Sequence, residues 1–157
     1  MYKHLVVAVD GSLTSENALE HAIGLAKVEN AELTLVNVAN PAEYMALAPE
    51  FLQHESYEAA AQAEGDAVLD AAEKTAAEQL EAGKVKRHLL LANKGAREMA
   101  QMLVNFAAEQ GADLIILGTH GRSGLMHLLM GSFAETVMRE TRLPLLIIRS
   151  DVKNTAD

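Results

Sequence analysis

The feature that most constrains the fold is an alternation of short apolar runs with amphipathic segments along the whole chain. Runs of this kind, apolar without strict alternation and bounded by polar or glycine residues, are typical of parallel strands buried on both faces. They predict five strands, at 4–9, 33–38, 87–91, 113–117 and 143–149.

The segments between these runs place apolar residues three and four positions apart, which is typical of helices packed on a sheet. They predict helices beginning between 12 and 15, over 57–82, around 99–107 and over 132–141. In the second helix, Gly65 marks a potential interruption and Gly83 the end. Ser132 and Glu135 match a capping box at the start of the last helix. Residues 40–56 hold two of the three prolines and are predicted to form an irregular loop, either a lid or a partner surface.

Five strands separated by four helical segments favour an α/β fold in which one doubly wound parallel sheet carries helices on both faces. With 157 residues, the chain fits one domain, which we expect over 1–150, followed by a flexible polar tail at 151–157.

Composition narrows the compartment and the partners. The sequence contains no cysteine, which favours a reducing compartment, and neither a signal peptide nor a membrane-spanning run is visible. A formal net charge of −9 disfavours nucleic acid and anionic membranes as partners. We therefore expect a soluble cytoplasmic protein whose anionic ligands are held by local donors.

The segment after the fourth predicted strand contains Gly118, Gly121 and the pair Gly131–Ser132. Glycine lets backbone N–H groups approach a ligand closely, and the passage from a strand into a helix N-terminus is where α/β sheets bind phosphate. This segment predicts a nucleotide-phosphate cradle. Arg122 is a candidate for added positive charge.

Other residues at predicted strand ends would complete such a site, and each has a structural alternative. Asp10 could accept hydrogen bonds from ribose or hold a water on a phosphate-bound metal, or it could serve as a turn or N-cap residue. Val38 and Leu117 offer apolar backing for a base. Ser132 could cap its helix, and Arg122 could be a surface residue paired with a carboxylate.

Several enzyme classes are excluded by their motifs. The chain has no Gly-Lys-Ser/Thr ending of a Walker A loop, no dinucleotide fingerprint after the first strand, and no nucleophile elbow. No general base is evident for attack on a γ-phosphate, so we expect at most slow ATP hydrolysis and no assigned catalytic residue.

The residues at 7–12, 111–124, 131–132 and 143–149 closely resemble the universal stress protein (UspA-like) family, in its ATP-binding type with the Gly-x2-Gly-x9-Gly-Ser motif. The resemblance implies a sheet of order 3-2-1-4-5 and a homodimer joined through the last strand, Pro144 to Arg149. The nucleotide contacts that it implies are Ala8, Asp10, Val38, Leu117, Gly118, Gly121, Gly131, Ser132, Phe133 and Ala134.

Adding neighbours in the same segments, the candidate nucleotide site comprises Ala8, Val9, Asp10, Val38, Leu117, Gly118, His120, Gly121, Arg122, Gly131, Ser132, Phe133 and Ala134. The leading hypothesis is an adenine-nucleotide-binding regulatory protein of the stress response, with ATP or AMP as ligand and with or without Mg²⁺ or Mn²⁺ held through the phosphates. The alternative is a dimeric interaction module of the stress response that binds no nucleotide.

Overall fold

The computed structural model describes residues 1–47, 54–120 and 130–149. In these residues a sheet of five parallel strands has the order β3-β2-β1-β4-β5. The strands are β1 His4–Ala8, β2 Glu32–Ala39, β3 Val85–Leu91, β4 Leu114–Gly118 and β5 Leu145–Ile148. The predicted fold class and strand order are both confirmed.

Helices cover both faces of this sheet. They are α1 Leu13–Glu29, α2 Ala42–Leu47, α3 His54–Ala77, α4 Ala96–Glu109 and α5 Ser132–Glu140, with a short 3₁₀ turn at Ala82–Lys84. Apolar residues of α1 and α3 pack on one face, and those of α4 and α5 pack on the other.

The double burial explains why the central strands read as continuous apolar runs. In β1, Leu5 and Val7 belong to the core on the α1 and α3 face, whereas Val6 belongs to the core on the α4 and α5 face. All three side chains are fully buried, because successive residues of a strand point to opposite faces and both faces are covered.

The long helix α3 begins at His54, three residues before its predicted start, and differs from its prediction at two further points. It continues through Gly65 without interruption and ends at Ala77, before Gly83, which lies in the 3₁₀ turn. Its last turn closes when the N–H groups of Gln79 and Leu80 both donate to the carbonyl of Ala76 (3.1 and 2.9 Å). The predicted end at Gly83 was therefore wrong.

The prediction of an irregular loop over 40–56 was also wrong in part, because α2 and the first residues of α3 fall inside it. Asn40 Oδ1 accepts a hydrogen bond from the Ala42 N–H at 3.1 Å, which organises the start of α2. Residues 48–53 of that loop and the predicted tail at 151–157 lie outside the described residues. No described helix combines the length and hydropathy needed to cross a bilayer.

Candidate functional site

A cavity of about 330 Å³ lies at the carboxyl ends of β1, β2 and β4. Strands β1 and β4 are neighbours in the sheet. The chain after β1 enters α1 on one face of the sheet, whereas the chain after β4 leads to α5 on the other face. Such a switch point is where open α/β sheets bind their ligands. The cavity volume is in the range of small-molecule sites, roughly 300–1,000 Å³.

The described part of the predicted site converges on this one cavity. Its lining includes Ala8, Val9, Asp10, Val38, Leu117, Gly118, His120, Gly131, Ser132, Phe133 and Ala134. Gly121 and Arg122, the remaining two predicted residues, lie outside the described residues.

The first corner of the cavity is the turn between β1 and α1. Asp10 Oδ1 accepts hydrogen bonds from the N–H and the hydroxyl of Ser12, at 2.9 and 2.6 Å. Ser12 is the N-cap of α1 and accepts from the Ser15 N–H at 3.1 Å. Gly11 permits the turn with a φ of +85°. Asp10 thus has the turn role considered from the sequence, and its carboxylate is held at the cavity wall.

Two glycines of the predicted cradle sit where backbone approaches closely. At Gly118, a Cβ would clash with Cγ2 of Thr14 and lie 3.2 Å from the Thr14 carbonyl oxygen, so this glycine lets α1 pack against β4. At Gly131, a Cβ would lie 3.3 Å from the carbonyl oxygen of Thr119. The Gly131 N–H donates to that oxygen at 2.7 Å, so within the protein this amide is engaged by the chain itself.

The N-terminus of α5 borders the cavity and differs from its prediction. The N-cap is Gly131, with φ −72° and ψ 160°, and the first intrahelical bond runs from the Glu135 N–H to the Gly131 carbonyl at 3.0 Å. Ser132 is therefore the first helical residue, and the predicted capping box was wrong because Ser132 and Glu135 stand one position too late in the helix. Since glycine has no capping side chain, the leading amides of Ser132, Phe133 and Ala134 have no side-chain cap from the N-cap residue.

The sequence of these elements, and not only their arrangement, matches known proteins. The model of the Universal stress protein family matches residues 1–149. The chain belongs to the universal stress protein family. It is 34% identical to Universal stress protein MJ0531 of Methanocaldococcus jannaschii, over 98% of this chain and 85% of that protein. Identity to Universal stress protein YxiE of Bacillus subtilis is 33%, over 95% and 100% of the two chains.

Solved structures agree with this membership of the universal stress protein family. The structure of hypothetical protein MJ0577 superposes with a TM-score of 0.79 at 26% identity and covers 96% of this chain and 98% of that one. A universal stress protein crystallised in complex with cAMP superposes with a TM-score of 0.64, also at 26% identity, and covers 94% and 96% of the two chains.

Charge within the cavity of this family member is distributed unevenly. The described lining contains the carboxylates Asp10, Glu43 and Glu64, and no lysine or arginine. At the end of the cavity lined by Ser132, Phe133 and Ala134, the dipole of α5 contributes positive potential, roughly half a charge at a helix N-terminus. No group of three or more potential metal ligands occurs in the described ranges.

Sequence reasoning missed one wall of the cavity, formed by α2 and α3. Its lining residues are Glu43, Tyr44, Ala61, Glu64, Gly65 and Val68. Ala61, Gly65 and Val68 follow the apolar stripe of α3, but that stripe does not reveal a ligand site, because only the packing of α2 and α3 over the sheet brings this wall to the cavity.

A second missed residue, Asn37, did leave a signal in the sequence, as a lone amide inside the apolar run of β2. Its side chain lines the cavity and is only 6% exposed. Its Nδ2 donates to the Val9 carbonyl at 2.8 Å. A buried polar group in a strand calls for a partner, and here the partner is the backbone at the end of β1.

Proposed function

We propose that the chain is an adenine-nucleotide-binding regulatory protein of the stress response, with ATP or AMP as its ligand. The observation that carries the proposal is the N-terminus of α5, which borders a ligand-sized cavity with a glycine N-cap and three leading amides. Helix N-termini favour anions because unsatisfied N–H groups and the helix dipole act together.

The lining suits the remaining parts of a nucleotide. Ala8, Val38 and Leu117 supply apolar surface for a base, and Asp10 stands at the edge between β1 and α1 as a partner for ribose hydroxyls. The cAMP complex of a related universal stress protein supports a nucleotide as the ligand class.

Divalent ions would enter through the nucleotide, as Mg²⁺ or Mn²⁺ bound by the phosphates. Three carboxylates line the described cavity, and such a metal would reduce their repulsion of a triphosphate. Hydrolysis of ATP is proposed to be slow at most.

The proposed location of the protein is the cytoplasm, which agrees with a sequence that contains no cysteine.

Thermal unfolding of the purified chain with and without AMP or ATP tests the proposal. A ligand at 100 times its Kd stabilises the folded state by about 2.7 kcal/mol, so we expect a clear rise in Tm. The alternative, a dimeric interaction module, predicts an unchanged Tm and no nucleotide in mass spectra of the purified protein.

We also propose that two copies pair through β5, the segment from Pro144 to Arg149. In the described part of the chain β5 pairs with β4 on one edge only, and its residues Leu145 to Ile148 are all partly exposed. An apolar edge strand with unpaired backbone groups favours pairing with another strand.

A further inference from the structure

We propose that the groove between α1 and β5 is a second part of the surface through which two copies associate, and that it receives an apolar side chain from β5 of the second copy. The inference rests on the proposed pairing through β5 and adds to it a contact on one face of the sheet. The residues that line the groove are Glu20, His21, Gly24, Leu25, Val28 and Leu146.

The apolar part of this groove is open to solvent in the single chain. Val28 is 83% exposed, and among the large apolar side chains that the structure describes only Met1 is more exposed. Leu25 and Leu146 are only partly buried, by packing against the core on the α1 and α3 face. Single exposed apolar residues are common in monomers, but three that share one groove indicate a contact surface.

The backbone of β5 determines which of its residues can bond to a second copy. The carbonyls of Pro144 and Ile148 accept hydrogen bonds from the β4 side. Because backbone groups of successive strand residues point to alternate edges, those of Leu145 and Ile147 point outward. These outward groups are the ones that a second strand can reach.

The two-fold symmetry of a closed dimer makes the two copies of β5 antiparallel. A register centred on the first residue of β5 would need the N–H of Leu143, which already donates to Thr141 Oγ1 at 3.1 Å. Registers centred on Leu146 or on Ile147 use the outward groups. In the first, the residue opposite Leu146 is Leu146 of the second copy, and in the second it is Ile148 of the second copy.

Either register brings an apolar side chain to the groove. Leu146 and Ile148 both pack against the core on the α1 side of the sheet, and so would their counterparts in a symmetric copy. Opposed residues on neighbouring antiparallel strands have Cβ atoms about 4.5–5.5 Å apart. A side chain opposite Leu146 therefore falls beside Leu25 and Val28, which line the same groove.

The small area of β5 also calls for this contribution. The strand has four residues, so its edge is about 13 Å long. A stable interface buries about 800 Å² on each partner, which the edge of so short a strand does not supply. The α1 wall of the groove adds apolar area directly beside that edge.

The test is sedimentation equilibrium of the full chain as wild type, Val28→Glu, Val28→Leu and Lys27→Glu. Glutamate at position 28 places a charge in the contact and should raise the Kd for dimerisation about tenfold or more, whereas leucine stays apolar and should keep the dimer. Lys27→Glu is the matched control, because Lys27 is exposed in the same turn but does not line the groove. Its larger change of charge should leave the Kd unchanged, and circular dichroism checks that each variant is folded.

A wild-type Kd in a folded Val28→Glu protein would overturn the inference. So would an equal loss of affinity in Lys27→Glu, since a negative charge outside the groove would then have the same effect; in both cases the proposed β5 dimer stands. A wild type that is monomeric at every concentration would instead overturn the proposed dimer, and the inference with it.

Discussion

Gly65 and Gly24 both lie inside helices but have opposite surroundings. A Cβ at Gly65 would meet the Leu89 side chain and Asn37 Oδ1, and Asn37 is held by its bond to Val9. A Cβ at Gly24, on the exposed side of α1, would have no heavy atom within 4 Å. A glycine-to-alanine substitution should therefore change the free energy of unfolding in opposite directions at the two positions.

We expect Gly65→Ala to lower the free energy of unfolding by about 1–3 kcal/mol, through overpacking of the α3–β2 contact. Gly24→Ala should raise it by roughly 0.5–1 kcal/mol, because alanine favours the helix. Chemical denaturation of both variants measures the difference. A neutral Gly65→Ala would contradict the close packing of α3 on β2.

The contact between Gly118 and Thr14 permits a double-mutant test. Gly118→Ala should destabilise by about 1–3 kcal/mol, since the new methyl group would clash with Cγ2 of buried Thr14. Thr14→Ser removes that carbon, so the double variant should lose less stability than the two single variants added together. If the losses of unfolding free energy measured in denaturant were strictly additive, the side chains at the two positions would not be in contact.

At the scale of the element, the N-terminus of α5 tolerates a proline that would be damaging elsewhere in the helix. Ser132 is the first helical residue, and Gly131 before it has the extended backbone that a following proline requires. Ser132→Pro should therefore remove one amide donor while the helix remains intact.

If phosphate binds these amides, Ser132→Pro should weaken AMP binding about tenfold or more, the magnitude of one hydrogen bond to a charged group. The Tm without nucleotide should change little. Ser132→Ala is the control, because it removes the hydroxyl and keeps the amide. Calorimetric affinities that are equal for wild type and Ser132→Pro would place the anion elsewhere.

At the scale of the whole molecule, the proposed dimer depends on the outer edge of β5. The carbonyls of Pro144 and Ile148 accept from the N–H of Ile115 in β4 and of Thr119 directly after β4, at 3.0 and 2.9 Å. Backbone groups of successive strand residues point to alternate edges, so the N–H of Ile147 points to the outer one.

Ile147→Pro should remove this outward donor without breaking the β4–β5 ladder and should shift the protein from dimer to monomer. Ile147→Ala, which keeps the N–H, separates the loss of the donor from the loss of the side chain. Sedimentation analysis of the two variants gives the masses. A dimeric Ile147→Pro protein would mean that another surface joins the copies.

A feature can be predicted from the sequence when it depends on residues that are close together in the chain, and not when it depends on contacts between distant residues. Buried strands are visible as apolar runs, and the spacing of the glycines after β4 is enough to predict a phosphate site at this end of the sheet. The capping box failed by one residue, because the pattern Ser132 to Glu135 is local while the N-cap position is set by Gly131 packing on Thr119. The α2–α3 wall had helical spacing in α3 but no pattern that marks a ligand site.

The sequence alone therefore determined the doubly wound sheet, its strand order through the family resemblance, and the residues at the strand ends, because hydrophobic periodicity and glycine conformation are properties of neighbours in the chain. Only the tertiary structure decided that α3 passes intact over Asn37 at Gly65, and that the buried Asn37 amide donates to the Val9 carbonyl beside the cavity. Those facts depend on contacts between residues far apart in the chain, which no local pattern records.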